Sequence, residues 1–516
     1  MNKEIINIIQ RFWQKHPALL YGVAALVGVS FALTHKLIFL LILFVLVSPL
    51  FYGRTRQLLL AMAVSLSFFG YTSARYHFIE ISREETSIFG QGHVALESIA
   101  SKSTHFGKRW VYKGVLRSFQ SDASDKENIE RVNLPCTISL AQSDDILRPP
   151  ADSDYLIYGR LKELASGYYA LVPIKEKPWL PVKGSWSLAE YRFQAKQQVA
   201  RYIHNVMSDS RSATFLTGVA SGDFDDRMMT FEFGRFGLQH IMAISGFHFA
   251  IIAGILSVLL SIFMGRRGAI VLLMVLLSLY LLFLGASSSI LRAWIAVMIA
   301  LCGCLLERRG SGLNSLGVAL VAILILDPLA AQNLGFQFSF VTTAAILLLF
   351  GGCDLLFKQV FPQRSLSQMV RMNGLNQHGY CFLVFFRQAF ALTLAVNIIA
   401  IPMMLYYFQK FPLLGLVYNL FFPFLVSVSM LLLILGVLFE VIYPLAEGIH
   451  VVNNGYTQFV LNFTYNMPTS ADVTWHLPSL PLEGILMYLC AVFFAGIVAA
   501  DWLERRQEAA QDWAFL

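Results

Sequence analysis

Residues 269–306 read AIVLLMVLLSLYLLFLGASSSILRAWIAVMIALCGCLL, and Arg292 is the one charged side chain among them. Two apolar runs, 269–285 and 290–306, are separated by Ala286 and three serines. A hydrocarbon core about 30 Å thick takes about 20 apolar residues per helix, and about 17 suffice. The stretch therefore reads as two membrane spans joined by a tight turn. Working outward, further apolar runs occur at 18–34, 37–52, 58–72, 241–263, 313–326, 336–351, 382–405, 413–443 and 480–500. The fold class is a polytopic α-helical membrane protein with about 11 transmembrane helices. The run 413–443 is too long for one plain span and holds Pro423, so it reads as a re-entrant half-helix plus a span, or as two short helices.

Composition agrees. Of 516 residues 56% are apolar and 14% are charged, about half the charged share of a soluble domain. Mean hydropathy is +0.60. These values exclude a cytosolic enzyme, a disordered scaffold and a disulfide-rich secreted module. The net charge of +7 is weak evidence for a nucleic-acid partner, because much of the excess lies in short loops that set membrane orientation. The six cysteines (136, 302, 304, 353, 381 and 490) read as small hydrophobes. Run 18–34 lacks a small-residue cleavage site and reads as a retained first span.

Between 75 and 235 hydrophobicity collapses. That stretch carries 21 Lys+Arg and 20 Asp+Glu, a composition normal for a water-soluble domain. With the N-terminus in the cytoplasm, the inward segments carry 12 basic residues and the short outward loops carry 2. The bias puts 75–235 on the extracytoplasmic side. Within it, runs 110–119, 132–140, 155–161 and 168–174 are strand-like, separated by Gly/Pro/Ser/Asp clusters. They fit a small barrel of about five strands, such as an OB-fold, or else a small β-sandwich. Ser187 and Glu190 have capping-box spacing and predict a helix start. Leu188, Tyr191, Ala195, Val199, Tyr202 and Val206 then recur at helical spacing, with Arg192, Lys196 and Arg201 on another face. This helix either docks on its own domain or on the membrane surface, or presents a DNA-tracking basic face. The predicted units are 1–74, N-terminal helices; 75–186, the β domain; 187–236, an amphipathic connector; 237–502, the main helical domain; and 503–516, a tail.

Polar residues inside spans are costly and so are candidate functional residues. The densest group is His240, Ser245, Gly246 and His248. On a regular helix Ser245 and His248 lie about 60° apart and His240 and His248 about 80° apart. Interhelical hydrogen bonding, pore lining and covalent catalysis by Ser245 are all open. The flanks Ala243 and Phe247 do not make the Gly-x-Ser-x-Gly elbow, and no His-Glu-x-x-His is present. The second group is Ser287, Ser288, Ser289 and Arg292. The arginine either snorkels to the interface or faces the bundle interior, where its planar fork suits phosphates. The third is Asp327-Pro328 followed by Gly335, Gln337 and Ser339. Gln337 and Ser339 point about 200° apart on a helix, one toward a neighbour and the other toward a cavity. Asn397 and Pro402 mark a possible kink. There is no P-loop, no EF-hand loop and no His-x-His-x-Asp-His run.

These groups carry a resemblance. Residues 240–248, HIMAISGFH, are similar to the His-Leu-Leu-Ala-x-Ser-Gly-Leu-His signature of the ComEC family, the bacterial competence proteins that act as DNA-uptake channels. Ser289-Ile-Leu-Arg292-Ala293 resembles that family's Ser-x-x-Arg-Ala element. Asp327-Pro328 with Gly335-Phe-Gln337-Phe-Ser339-Phe resembles its Asp-Pro…Gly-Phe-Gln-Leu-Ser-Phe element. The three occur in the family's order, and the resemblance covers roughly 1–500. Phe247 and Phe249 replace expected aliphatic residues. Many relatives continue into a metallo-β-lactamase-like domain, for which this chain, ending near Leu516, is expected to have no room.

The resemblance implies a channel for single-stranded DNA across the cytoplasmic membrane, with no catalytic role and no cofactor or metal. Its path is expected to include His240, Ser245, Gly246, His248, Ser288, Ser289, Arg292, Gln337 and Ser339. Trp110, Tyr112, Tyr158 and Tyr168 are candidate stacking platforms on the β domain, or else rings of its core. Implied partners are an external DNA receptor, a cytoplasmic helicase-like ATPase and a separate nuclease. The rival readings are a transporter or flippase for another anionic or lipid-linked substrate, and a membrane-embedded hydrolase.

Overall fold

The computed structural model describes residues 3–76, 87–104, 107–122, 130–142, 148–165, 167–175, 177–242, 246–308, 310–468, 470, 472–478 and 480–515. The chain begins with an amphipathic helix α1 (Lys3–Lys15), then α2 (Pro17–Thr34), α3 (Ile38–Val47) and α4 (Thr55–Arg75). Six strands follow: β1 (Ile88–Thr104), β2 (Gly107–Ser121), β3 (Glu130–Ala141), β4 (Tyr155–Ala165), β5 (Tyr168–Pro173) and β6 (Leu180–Pro181). Helices α5 (Ala189–Val206), α6 (Ser210–Ser221), α7 (Arg227–Arg235) and α8 (Gln239–Met242) lead into α9 (Gly246–Phe263), α10 (Arg266–Leu284), α11 (Ser288–Leu305) and α12 (Gly312–Leu326). The remainder is α13 (Leu334–Val360), α14 (Leu366–Val370), α15 (Gly374–Phe408), β7 (Lys410–Pro412), α16 (Leu414–Leu438), α17 (Tyr443–Tyr465), β8 (Thr474–His476) and α18 (Leu482–Phe515).

Among the described residues each of the eleven apolar runs contains helix. Among the described residues eight helices are long and apolar enough to cross a membrane: α2, α4, α10, α11, α13, α15, α16 and Leu482–Arg506 of α18. The helices in runs 37–52, 241–263 and 313–326 are shorter. Run 413–443 is neither a half-helix plus a span nor two short helices. It is the single helix α16, which carries Pro423 inside it. Helix α17 was hidden from the apolar count because its buried stripe is part polar: His450, Asn453, Thr457 and Thr464 alternate with Ala446, Val460 and Leu461 at helical spacing. Thr457 Oγ1 donates to Ser429 Oγ of α16 at 3.1 Å, across a fully buried seam.

Small residues let the N-terminal helices cross closely. A Cβ on Gly28 of α2 would stand 2.1 Å from the Ser65 carbonyl oxygen of α4, so only glycine fits that crossing. Helix α1 lies along the end of α18, with Lys15 Nζ 2.5 Å from Glu504 Oε2. The first and last helices therefore end on the same face of the bundle. At the same end, α13 and α15 are bolted together by a buried cluster. Arg387 lies 3.2 Å and Lys358 2.8 Å from the two oxygens of Asp354.

The sheet closes on itself. Its order is β1–β2–β3–β5–β4, and β1 pairs with both β2 and β4. All ring pairings are antiparallel except β3 with β5. This is a five-strand barrel-like sheet, not a sandwich. Its longest strand, β1, spans 17 residues and escaped the sequence reading. Gly90 and Gly92 occupy inward positions where a branched side chain signals a strand, and the register shift at Leu96/Ser98 breaks its alternation. The core is Val94, Leu96, Tyr112, Leu116, Leu134, Ile138, Ile157 and Leu171, among others, and Leu329 from the helical bundle plugs it.

The connector docks on the protein. Ile203 of α5 and Met207 just after it share one apolar core with α6, α7, α16 and α17. The capping box does not form. Ser187 Oγ donates instead to the Leu96 carbonyl at 2.5 Å. Glu190 turns inward and accepts from Arg148 at 2.7 and 2.8 Å and from the Ala151 amide at 2.9 Å. A bidentate guanidinium offers a buried carboxylate more than one backbone N–H does, and the Arg148 contact holds the Glu190 carboxyl down at about 2.

Candidate functional site

The three motifs meet at one end of the helical bundle, beside the barrel. Helix α9 begins at Gly246, α11 at Ser288 and α13 at Leu334. Arg292 Nε donates to Ser339 Oγ at 2.7 Å, joining α11 to α13. A Cβ on Gly246 would stand 2.6 Å from Arg292 Nη2 and 3.3 Å from Ala293 Cβ. Gly246 is thus the notch into which the guanidinium fits, and α9, α11 and α13 converge on that one cation. Arg292 does not snorkel; its head turns into the helix junction. It makes no ion pair among the described residues.

Ser289 Oγ donates to the Gly335 carbonyl at 3.3 Å, a second tie between α11 and α13. Ser288 is the first residue of α11 and is half-buried. Asn333 caps α13, its side chain accepting from the amides of Gly335 and Phe336. Gln337 and Ser339 do point apart, but both meet neighbours. Gln337 Nε2 donates to the Ala331 carbonyl at 2.9 Å, and its Oε1 accepts from the Tyr407 hydroxyl of α15. Tyr407 carried no sequence signal, because an aromatic ring at the end of an apolar run is ordinary. Asn397 Nδ2 donates within its own helix, to the Thr393 carbonyl.

His240 and His248 lie on separate helices, α8 and α9, so the angles of one regular helix do not relate them. Ser245 lies outside the described residues, as do the side chains of His240 and His248. Among the described residues no three His, Cys, Asp or Glu side chains converge as a metal site requires. A cavity of about 240 Å³ opens elsewhere, between α1, α13 and α18, where Arg11, Lys15, His16, Asp501 and Glu504 line it.

The barrel is fastened over this junction. Tyr76 donates to Asp327 Oδ1 at 2.9 Å, and Asp327 also accepts from the Leu329 amide. Arg192 of α5 donates to the Leu282 carbonyl at the end of α10 and to the Glu97 carbonyl of β1, both at 2.9 Å. Lys196 pairs with Asp223 at 3.0 Å. Asp225 accepts from Ser101 Oγ and the Ser103 amide. Of the three cations of the expected basic face, Arg192 is therefore a tie between units and Lys196 an ion pair within the connector.

The barrel aromatics have separate fates. Tyr112 is fully buried; it donates to the Pro149 carbonyl at 2.7 Å and packs edge-on against Trp179. It is a core residue, because its side chain points inward along β2, and burial pushes its phenol up to about 12. Trp110 is half-covered by Phe193 and Arg148. Tyr158 has Lys177 Nζ 3.3 Å from its ring centre and donates to Asp122. Tyr168 is half-buried at the start of β5.

Comparison with known proteins bears on residues 222–502, which match the model of a family described as "Competence protein". That match takes in α9, α11 and α13 with all three motifs. The chain is also similar to "ComE operon protein 3" of Bacillus subtilis (strain 168), with 26% identity over 197 residues. The aligned part is 38% of this chain and 22% of that protein, so the chain spans well under half the length of this relative. No solved structure matches. With more than half of its length inside the family's boundaries and the family's polar elements gathered at one helix junction, the chain belongs to the Competence protein family.

Proposed function

We propose that this protein passes a single strand of DNA inward across the bacterial cytoplasmic membrane during DNA uptake. The observation that carries the reading is the meeting of Gly246, Arg292 and Ser339 from three separate spans. A DNA strand is a chain of charges and does not enter hydrocarbon. It needs polar groups aligned between helices, and a guanidinium held among apolar spans with no carboxylate partner among the described residues is suited to a passing phosphate. Ser288, Ser289, Gln337 and Ser339 extend the polar lining, with His240, Ser245 and His248 adjoining it in sequence.

In this reading the eight long helices and the three shorter ones embed the chain in the bilayer. The basic bias of the loops sets the α1 and α18 ends in the cytoplasm and the barrel outside. The barrel covers the outer mouth, fastened by Arg192, Tyr76 and Asp327. The protein acts as a conduit without catalysing a reaction. An external receptor delivers DNA, a separate nuclease removes one strand, and a cytoplasmic helicase-like ATPase pulls the other. The test uses labelled duplex DNA on a deletion strain. Capture at the surface persists and entry to the cytoplasm stops; normal entry refutes the proposal.

A further inference from the structure

The outward face of α5 was read in sequence through its arginines and lysine, yet Arg192 and Lys196 turn inward. What remains exposed is a different stripe. Trp186, just before the helix, is 66% exposed and Tyr191 is 57% exposed. Their ring centres are 6.2 Å apart and the planes are inclined by 42°. From Tyr191 the stripe continues through Gln194, Gln198, Arg201 and Asn205, all exposed and spaced by three or four residues, so they share one helix face. The line from Tyr191 to Asn205 is about 21 Å long at 1.5 Å per residue. The sole acid of α5, Glu190, is buried against Arg148.

We propose that this stripe is a binding track for single-stranded DNA, with Trp186 and Tyr191 as the stacking platform and Gln198, Arg201 and Asn205 contacting the backbone and base edges. The inference rests on the channel reading above. Exposed aromatic rings followed by a cation and amides, with no free carboxylate, are the groups that bind an unpaired strand without regard to sequence. A helix lying on lipid would insert its apolar face. Here that face, Phe193 with Ile203 and Met207, is already used inside the protein, and the outward face offers lipid nothing below Tyr191. The track begins beside Arg192, which touches both β1 and the end of α10. It therefore starts where the barrel meets the polar junction.

The experiment measures fluorescence anisotropy of a labelled oligothymidylate with the full chain in nanodiscs. Wild type binds the single strand more tightly than a duplex of equal length. Loss of one stacked base corresponds to about 5- to 150-fold in affinity, so Trp186→Ala with Tyr191→Ala weakens binding at least about tenfold. Both rings are exposed, so the circular dichroism spectrum stays that of wild type. Arg201→Gln lowers the slope of log affinity against log salt by about 0.7. Tyr112→Phe, a core change, binds as wild type does. Unchanged affinity in the double variant, or no binding by wild type, overturns the track. Normal DNA entry in the deletion strain instead removes the channel reading itself, which separates the two failures.

Discussion

Gly246→Ala places a methyl carbon 2.6 Å from Arg292 Nη2, where ordinary carbon contacts are about 3.5–4.0 Å. Either α9 moves by about 1 Å or the guanidinium swings away. Backbone movement in a packed bundle costs about 1–3 kcal/mol. Swinging the guanidinium breaks the 2.7 Å bond to Ser339, a charge-assisted hydrogen bond with a net value of about 1.5–3 kcal/mol. Either route destabilises the protein by about 1–3 kcal/mol, read as the denaturant midpoint of the purified chain in detergent. Entry of labelled DNA falls as well. The decisive arm is a double-mutant cycle. Lysine has no Nη2, so in an Arg292→Lys background the alanine methyl keeps only the 3.3 Å contact with Ala293 Cβ and costs about 0.5 kcal/mol. A coupling energy of at least about 1 kcal/mol is expected. Additivity of the two changes within about 0.5 kcal/mol would show that Gly246 and Arg292 do not share the notch, and the argument for a junction centred on that guanidinium would fail.

Other outcomes follow from single contacts. Arg387→Met leaves Asp354 with Lys358 alone inside the α13–α15 cluster and destabilises by about 3–5 kcal/mol; thermal unfolding in detergent measures it. Because Arg148 holds Glu190 near 2 against an ordinary value of 4.5, the pair stabilises the fold above about pH 4.5 and that contribution fades as pH falls toward 2. Wild type therefore loses about 2 kcal/mol, after screening, relative to Glu190→Gln over that window, in paired denaturant titrations. Tyr407→Phe strands the Gln337 amide oxygen and costs about 1–3 kcal/mol, while Gln337→Leu with Tyr407→Phe restores most of it.

Much of the helical frame is legible from composition alone. Spans are long and nearly free of charge, and the single arginine in 269–306 stands out against them. That contrast also marked Ser289, Gln337 and Ser339. What the sequence lacked was the pairing, since Tyr407 is unremarkable in an apolar chain and only packing brings it to Gln337, as it brings Arg292 to Ser339. Helix α17 shows the converse. Its buried stripe of His450, Asn453 and Thr457 mimics a solvated face, because polar residues at buried positions interrupt the apolar period that announces a packed helix. Strand β1 was lost for a third reason, since inward glycines allow close strand approach but remove the alternation that announces a strand. The capping-box signal at Ser187 failed because a stronger donor, Arg148, lies nearby in space and distant in sequence.

The same logic relates the barrel to the junction. An isolated barrel would need to complete its own core, yet Leu329 from the bundle is fully buried within it. Two residues earlier, Asp327 receives Tyr76 from the end of α4, and a few residues later Asn333 caps the helix that carries Gln337 and Ser339. One short segment, 327–339, therefore plugs the barrel, receives the N-terminal spans and supplies the junction. Arg192 makes the corresponding tie on the other side, through α10 and the turn that leads to Ser289 and Arg292. These two contacts connect the barrel to the segments that lead into α11 and α13. A displacement of the barrel passed along them would load the Arg292–Ser339 bond, a contact that ties those two helices together.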